Sequence, residues 1–262
     1  MVFNLHFLDY CNFKCKYCFI KKEQKELSIE NIKLIIDKIA NFSIKRNERN
    51  RINLAGGEPL VSNHIQDIID YIHEKNLDVS LITNGSLLTE DFIIHNKDKL
   101  SMIGISVDSF NDSTNIDIGR CCGSKVLGKD RIIALASLIK KTNIKLKINV
   151  CCSTKNIYEN NYSTLKRINP DRIKFLRVMC DHDKTLKKYD LTNQEWDFIK
   201  NKYRDIPNSV FEDNDDMKRN YIIIDSSGNV SRDNLHIINN SLLDKELVDC
   251  LNEIGIEVEL WE

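Results

Sequence analysis

The order of two hydrophobic rhythms constrains this chain more than any other feature. Short apolar runs alternate with longer stretches whose apolar residues recur every three or four positions. Strands are expected at Phe3–Leu8, Arg51–Ala55, Val79–Ile82, Met102–Val107, Leu146–Val150 and Arg172–Val178. Between them, Ser28 caps a helix with Ile32, Ile35, Ile36, Ile39 and Ala40 on one face. A second helix carries Ile65, Ile68, Ile69 and Ile72, and a third covers about Lys129–Lys140. This order builds a parallel sheet with right-handed crossovers. The expected fold class is α/β, a partial (βα)6 barrel over residues 1–180.

After residue 180 the rhythm changes. A helix is expected at Asn193–Tyr203, then a hairpin of Tyr221–Ile224 and Gly228–Val230 around Asp225-Ser226-Ser227. The end, Ile254–Trp261, is apolar and strand-like. Residues 181–262 are expected to pack on the barrel and close it, as an extension within a single domain. A length of 262 residues is ordinary for one such domain.

A net charge of -1, with 29% charged residues, gives no sign of nucleic acid or a membrane surface as partner. No run approaches the ~18 apolar residues of a membrane span. The start, Met1–Leu8, lacks the basic lead of a signal peptide, so a cytoplasmic protein is expected.

Three of the nine cysteines fall within eight residues: Cys11, Cys15 and Cys18, as CxxxCxxC. Cys121, Cys122, Cys151, Cys152, Cys180 and Cys250 read as buried or incidental thiols. The cluster follows the first strand, at the C-terminal mouth where barrel enzymes do chemistry. Three thiolates on a tight loop can hold three irons of a 4Fe-4S cubane. The fourth iron then stays open to a small chelating cosubstrate. A zinc site is the alternative, with His6 as a fourth ligand inside the first strand. A glycine turn, Gly56-Gly57-Glu58-Pro59, ends the second strand. Its glycines allow close approach of backbone to a ligand, and Glu58 can accept from an ammonium.

With Tyr17 before the third cysteine and Ala55-Gly56-Gly57-Glu58-Pro59 downstream, the chain resembles the radical S-adenosylmethionine (SAM) superfamily. That resemblance implies a radical SAM barrel with a 4Fe-4S cluster on Cys11, Cys15 and Cys18. It also implies SAM held by Tyr17, Phe19, Gly56, Gly57, Glu58, Asn84, Ser106 and Arg120.

Further matches are narrower, and they resemble the viperin family. They are Asn4-Leu5-His6-Phe7, Thr83-Asn84-Gly85-Ser86, Ile105-Ser106-Val107-Asp108-Ser109-Phe110, and Asn115 with Ile118-Gly119-Arg120. Lys147-Ile148-Asn149, Asn169-Pro170 with Arg172 and Lys174, and Met217-Lys218 with Tyr221, Ile224 and Asp225 follow in order. The resemblance covers residues 3–234. It departs at Leu8-Asp9-Tyr10, Ile20, Ala55 and Arg51, and the last 28 or so residues match poorly. The animal family's amphipathic membrane helix is missing, which points to a prokaryotic relative.

The family resemblance implies dehydration of a ribonucleoside triphosphate (CTP, UTP or GTP) to its 3′-deoxy-3′,4′-didehydro form, in antiviral or anti-phage defence. The implied route starts with loss of the C4′ hydrogen to a 5′-deoxyadenosyl radical. Implied substrate contacts are Asn4, His6, Arg51, Asn53, Arg120, Lys147, Asn149 and Lys174, with Tyr221 as the catalytic residue that returns a hydrogen. Lys147 supports this independently, since a cation in the middle of an apolar strand is costly unless it meets an anion. A flavodoxin or ferredoxin is the expected electron donor, and the chain is expected to be a monomer. Two alternatives remain: a radical SAM enzyme acting on a peptide or small metabolite, and an iron-sulfur or zinc protein without catalysis.

Overall fold

A computed structural model describes residues 1–20, 23–180, 183–232 and 239–258. The chain alternates strand and helix from its start. β1 (Val2–Leu8) leads to α1 (Ile29–Lys45), β2 (Arg51–Gly56) to α2 (Ile65–Glu74), and β3 (Asp78–Thr83) to α3 (Glu90–His95). β4 (Leu100–Ser106) is followed by α4 (Asp112–Asp117) and α5 (Lys129–Ile139), and β5 (Lys145–Cys152) by α6 (Tyr162–Ile168). β6 (Arg172–Arg177), α7 (Asn193–Tyr203), β7 (Ser209–Glu212) and α8 (Asn214–Asn220) come next. β8 (Ile222–Ile224), β9 (Val230–Ser231) and α9 (Leu247–Glu253) complete the described elements.

One sheet carries all these strands, in the order β7-β6-β5-β4-β3-β2-β1-β8-β9. Every pairing is parallel except β8 with β9. The α/β class and the six barrel strands are as the sequence rhythm predicts. The helices start where the sequence marks them. The Ser28 side chain accepts from Asn31 N, and Thr192 with Glu195 forms a capping box on α7.

The two faces of the sheet differ in chemistry, because side chains alternate along each strand. On β5, Leu146, Ile148, Val150 and Cys152 are buried in the core under the helices. Lys147 and Asn149 point to the other face. That face is the barrel lumen, and it is polar.

Side-chain contacts show that the sheet is curled. Lys174 on β6 donates to Tyr221 Oη, next to β8, although β6 and β8 are six spacings apart in the strand order. The electrostatics agree. In a flat sheet β2 and β6 would stand about 19 Å apart, four spacings of about 4.8 Å. Yet Arg172 on β6 helps burial hold the Arg51 guanidinium on β2 below its usual range, with Asp78 opposing. Burial, Arg172 and Arg51 likewise hold the Lys174 ammonium down, against Glu212.

The segment after residue 180 adds to both edges of the sheet: β7 extends one beside β6, while β8 and β9 extend the other beside β1. Side chains of Lys174, Glu212 and Tyr221 bridge the seam between them. The segment departs from expectation in two places. The short edge strand β7 has no counterpart in the sequence reading, because four residues carry too little alternation. Ile254–Val258 forms no strand, and Glu259–Trp261 lies outside the described residues. The alternating Ile254, Ile256 and Val258 mimic a strand period, but they pack on the core after α9. Gly255, at φ +72°, ends that helix, and Ile256 N donates to Leu251 O.

Candidate active site

The cysteine loop leaves β1 and is held from two sides by backbone. Gly57 N donates to Leu8 O and Glu58 N to Tyr10 O, at 2.9 and 3.1 Å. On the other side Lys14 N donates to Gly119 O and Lys16 N to Ile118 O. These straps explain three glycines. A Cβ on Gly57 would stand 1.8 Å from Tyr10 O, and one on Gly56 or Gly119 2.3 Å from Leu8 O or Lys14 O. The glycines of the turn therefore admit the chain's own cysteine loop, rather than only a ligand as the sequence suggested. Asp9, one of the departures from the family pattern, accepts from Glu23 N and Lys25 N and so folds the segment beyond Cys18 back along β1.

Cys11, Cys15 and Cys18 are free, partly exposed thiols on this loop. Cys11 Sγ accepts from Phe13 N at 3.3 Å and lies 3.8 Å from Asn84 Nδ2. Burial pushes the Cys15 thiol up to about 11, with Arg120 opposing. Among the described residues no three His, Cys, Asp or Glu side chains converge on one ion position, so His6 does not complete a zinc site. A cubane makes no such demand, because each thiolate binds a different iron. Three soft donors on one strapped loop fit a 4Fe-4S cluster.

Beside the loop lies a small cleft of about 10 Å³, room for about one water, lined by Asn84, Ser106, Asn115 and Arg120 with Phe13 and Leu127 as apolar walls. The structure thus brings together three of the expected SAM contacts: Asn84, Ser106 and Arg120. Arg120 Nε donates to Asp108 Oδ2 at 2.6 Å, and Tyr17 Oη donates to the same oxygen at 2.9 Å. Arg120 was also a candidate for the substrate, but it stands with Asp108, Tyr17 and Cys15 on the loop side. Phe19 is 40% exposed, its ring 6.3 Å from that of His6.

Glu58 is 1% exposed, and its carboxylate accepts from Leu60 N, Thr83 Oγ1 and Asn84 N. It braces the glycine turn against the β3 turn, and of about four acceptor sites on a carboxylate three are used.

In the lumen, Asn53 Nδ2 donates to Asn4 Oδ1, Ser80 Oγ donates to Asn53 Oδ1, and Asn4 Nδ2 donates to Ile222 O. Asn4 and Asn53 thus form a satisfied network across β8, β1, β2 and β3. Burial lowers the His6 pKa to about 4, so the ring is neutral near pH 7.

Across the lumen stand Arg51, Lys147, Arg172 and Lys174. Lys147 pairs in register with Arg172, and Asn149 with Lys174. Burial, then Lys174 and Arg172, lower the Lys147 pKa to about 7, with Glu212 opposing. Arg51 Nε, Arg172 Nε and Asn149 Oδ1 are buried without a hydrogen-bond partner. Gly104, beside Lys147 on β4, makes room for Ile82: a Cβ there would stand 2.5 Å from Ile82 Cδ1. Lys174 Nζ pairs with Glu212 and donates to Tyr221 Oη at 2.8 Å, and Tyr221 Oη donates to Glu212 at 2.5 Å. Arg172, Asp108 and Glu212 were not among the expected site residues. Arg172 sits at a strand start, where an arginine reads as solvated, and Glu212 lies on the strand the sequence does not reveal.

A family model described as the radical SAM superfamily matches residues 5–159, more than half of the chain. The chain belongs to the radical SAM superfamily. Within it the chain groups with the S-adenosylmethionine-dependent nucleotide dehydratases, the viperin family. A relative of that name from Psychrobacter lutiphocae is 30% identical over 244 residues, covering 87% of this chain and 80% of the relative. One from Lacinutrix mariniflava is 30% identical over 237 residues, and the match spans 86% of this chain but 49% of the relative. One from Oncorhynchus mykiss is 28% identical, covering 85% and 66%.

Among solved structures, anSMEcpe with bound AdoMet superposes with a TM-score of 0.75 at 17% identity, over 98% of this chain and 84% of its own. SuiB of Streptococcus suis, bound to precursor peptide SuiA, gives 0.75 at 15% identity over 97% and 65%. These two show the shared radical SAM fold. The superfamily's 4Fe-4S cluster matches the thiol loop described above. Among the described residues no helix is long and apolar enough to cross a membrane.

Proposed function

We propose that this chain is a radical SAM nucleotide dehydratase that takes a ribonucleoside triphosphate into its barrel lumen. Its product would be the 3′-deoxy-3′,4′-didehydro nucleotide. The observation that carries the reading is the lumen group of Arg51, Lys147, Arg172 and Lys174, with orphaned arginine Nε atoms and two nearby carboxylates, Glu212 against Lys174 and Asp78 near Arg51. An uncompensated buried charge costs several kcal/mol. A polyanion relieves the excess positive charge through forked arginine contacts and lysine point charges. The names of the relatives support a nucleotide as substrate.

Cys11, Cys15 and Cys18 would hold three irons, and Asn84, Ser106 and Arg120, whose small cleft would have to widen, are the expected SAM contacts beside them. When bound, the cluster and SAM supply a 5′-deoxyadenosyl radical able to take the C4′ hydrogen of a ribose. The residues of the chain position and protect. The lumen cations fix the phosphates, and the unpartnered Asn149 Oδ1 accepts from a ribose hydroxyl. Asn4, Asn53 and the neutral His6 line the lumen between the strand-start arginines and the cysteine loop. Burial and the Glu212 carboxylate push the Tyr221 pKa well above its ordinary value, so its O–H stays intact and available late in the reaction, as the 3′-hydroxyl leaves as water. A flavodoxin or ferredoxin is the electron donor in this reading. The setting is anti-phage defence by a cytoplasmic monomer.

The test is anaerobic. The reconstituted protein is mixed with SAM, a strong reductant and each of CTP, UTP, GTP and ATP. Nucleotide-dependent 5′-deoxyadenosine, with a triphosphate product lighter by one water, is expected. SAM cleavage that no nucleotide stimulates or converts would overturn the dehydratase reading and leave the superfamily assignment standing.

A further inference from the structure

Glu212 is an anion placed against a site built for anions. It is buried, with one carboxylate oxygen against Lys174 Nζ and the other accepting from Tyr221 Oη. Lys174 Nζ lies 4.9 Å over the Tyr221 ring as well as 2.8 Å from its hydroxyl. The three side chains come from β6, β7 and the residue before β8, and together they span the seam of the open sheet. Lys147, two residues before Asn149, has no ion-pair partner among the described residues, and Arg51 and Arg172 each keep an orphaned Nε. Among the described residues, Lys174 is the one of the four lumen cations with an ion-paired carboxylate.

We propose that Glu212 is an internal counter-ion that the nucleotide displaces. It occupies Lys174 while the lumen is empty, and it yields Lys174 to a phosphate while keeping Tyr221 by its second oxygen. This rests on the reading of the lumen as a triphosphate site. The physical logic is an exchange. Four unpaired buried cations would repel one another and destabilise the nucleotide-free protein. One carboxylate relieves that repulsion, but phosphate must then compete with it. Glu212 is therefore a positioning residue. It sets how tightly the polyanion binds, and it holds the Tyr221 hydroxyl at the seam. A merely structural ion pair gives the opposite sign, because its removal would loosen the site and weaken binding.

The experiment measures binding of inorganic tripolyphosphate, and of CTP, UTP, GTP and ATP, to the anaerobically reconstituted protein. Glu212→Gln keeps an acceptor for Tyr221 and removes the competing charge. Its tripolyphosphate affinity should rise by roughly five- to tenfold, the low end of coupling between linked groups. If Glu212→Gln does not fold, Glu212→Asp reads the same sign, because its shorter carboxylate cannot reach both partners. Unchanged or weaker binding by the folded Glu212 variant overturns the counter-ion role. A wild-type protein that binds neither tripolyphosphate nor any of the four nucleotides overturns the lumen reading and the counter-ion with it.

Discussion

Arg120 Nε sits 2.6 Å from Asp108 Oδ2, and the carboxylate is 1% exposed. Asp108 also accepts from Tyr17 Oη and Cys151 N, so one carboxylate ties the cysteine loop, the cleft and β5 together. Breaking a buried pair from one side leaves a stranded charge, at a cost of about 3–5 kcal/mol. Asp108→Ala should therefore lower the unfolding free energy by that amount in a denaturant titration, and should reduce iron bound per chain on reconstitution. A change of under ~1 kcal/mol would show that the pair is solvated.

Gly57 is the tightest point of the strap, with Tyr10 O 1.8 Å from where a Cβ would sit. The neighbouring atoms are backbone and cannot rotate away. Gly57→Ala should push the cysteine loop off the β2 turn, costing at least ~1–3 kcal/mol by overpacking. Iron content after reconstitution should fall along with stability. A variant that takes up iron like the wild type would contradict the strap.

Lys147 gives the lumen a pH dependence with a definite sign. Its pKa falls from 10.5 to about 7, first through burial and then through Lys174 and Arg172, with Glu212 opposing. The unfolded chain therefore holds one more proton between about 7 and 10.5, so stability of the nucleotide-free protein should rise with pH across that window. Phosphate needs the charged form. Tripolyphosphate affinity should accordingly fall as pH rises above about 7, by up to roughly tenfold per unit for one linked proton. Calorimetry in buffers of different ionisation enthalpy would read the proton uptake. Lys147→Met should bind more weakly and lose that limb of the profile, whereas an unchanged limb would assign the titration elsewhere.

Much of this site was legible in the sequence, for physical reasons that also mark where legibility ends. Lys147 betrays itself because Leu146, Ile148 and Val150 fix the strand phase and leave a cation on the inner face. The cysteine loop is visible because three thiols at that spacing have few other uses. Asp108 is less visible, because its partners Tyr17 and Arg120 lie 91 and 12 residues away in the chain. An acidic residue after two glycines suggests a ligand contact for Glu58. Only the fold shows its bracing role, with bonds from Leu60 N, Thr83 Oγ1 and Asn84 N. Glu212 was hidden by the brevity of β7.

Tyr221 links the seam to the chemistry. If its hydroxyl returns a hydrogen late in the reaction, Tyr221→Phe should still form 5′-deoxyadenosine when nucleotide is present. Dehydrated nucleotide per 5′-deoxyadenosine should drop by at least about tenfold, the effect of ~1.4 kcal/mol on one step. An unchanged ratio, measured by chromatography of the quenched reaction, would leave Tyr221 a packing residue.

The most direct measurement follows a single atom. The protein is reconstituted anaerobically and given SAM, a reductant and a ribonucleoside triphosphate carrying deuterium only at C4′, using whichever base supports turnover. The lumen cations are taken to hold the phosphates so that C4′ lies beside the cleft, so the 5′-deoxyadenosine should gain one deuterium and the didehydro product should lose it. Unlabelled 5′-deoxyadenosine alongside an intact, fully labelled nucleotide would contradict the placement of a ribose in this lumen.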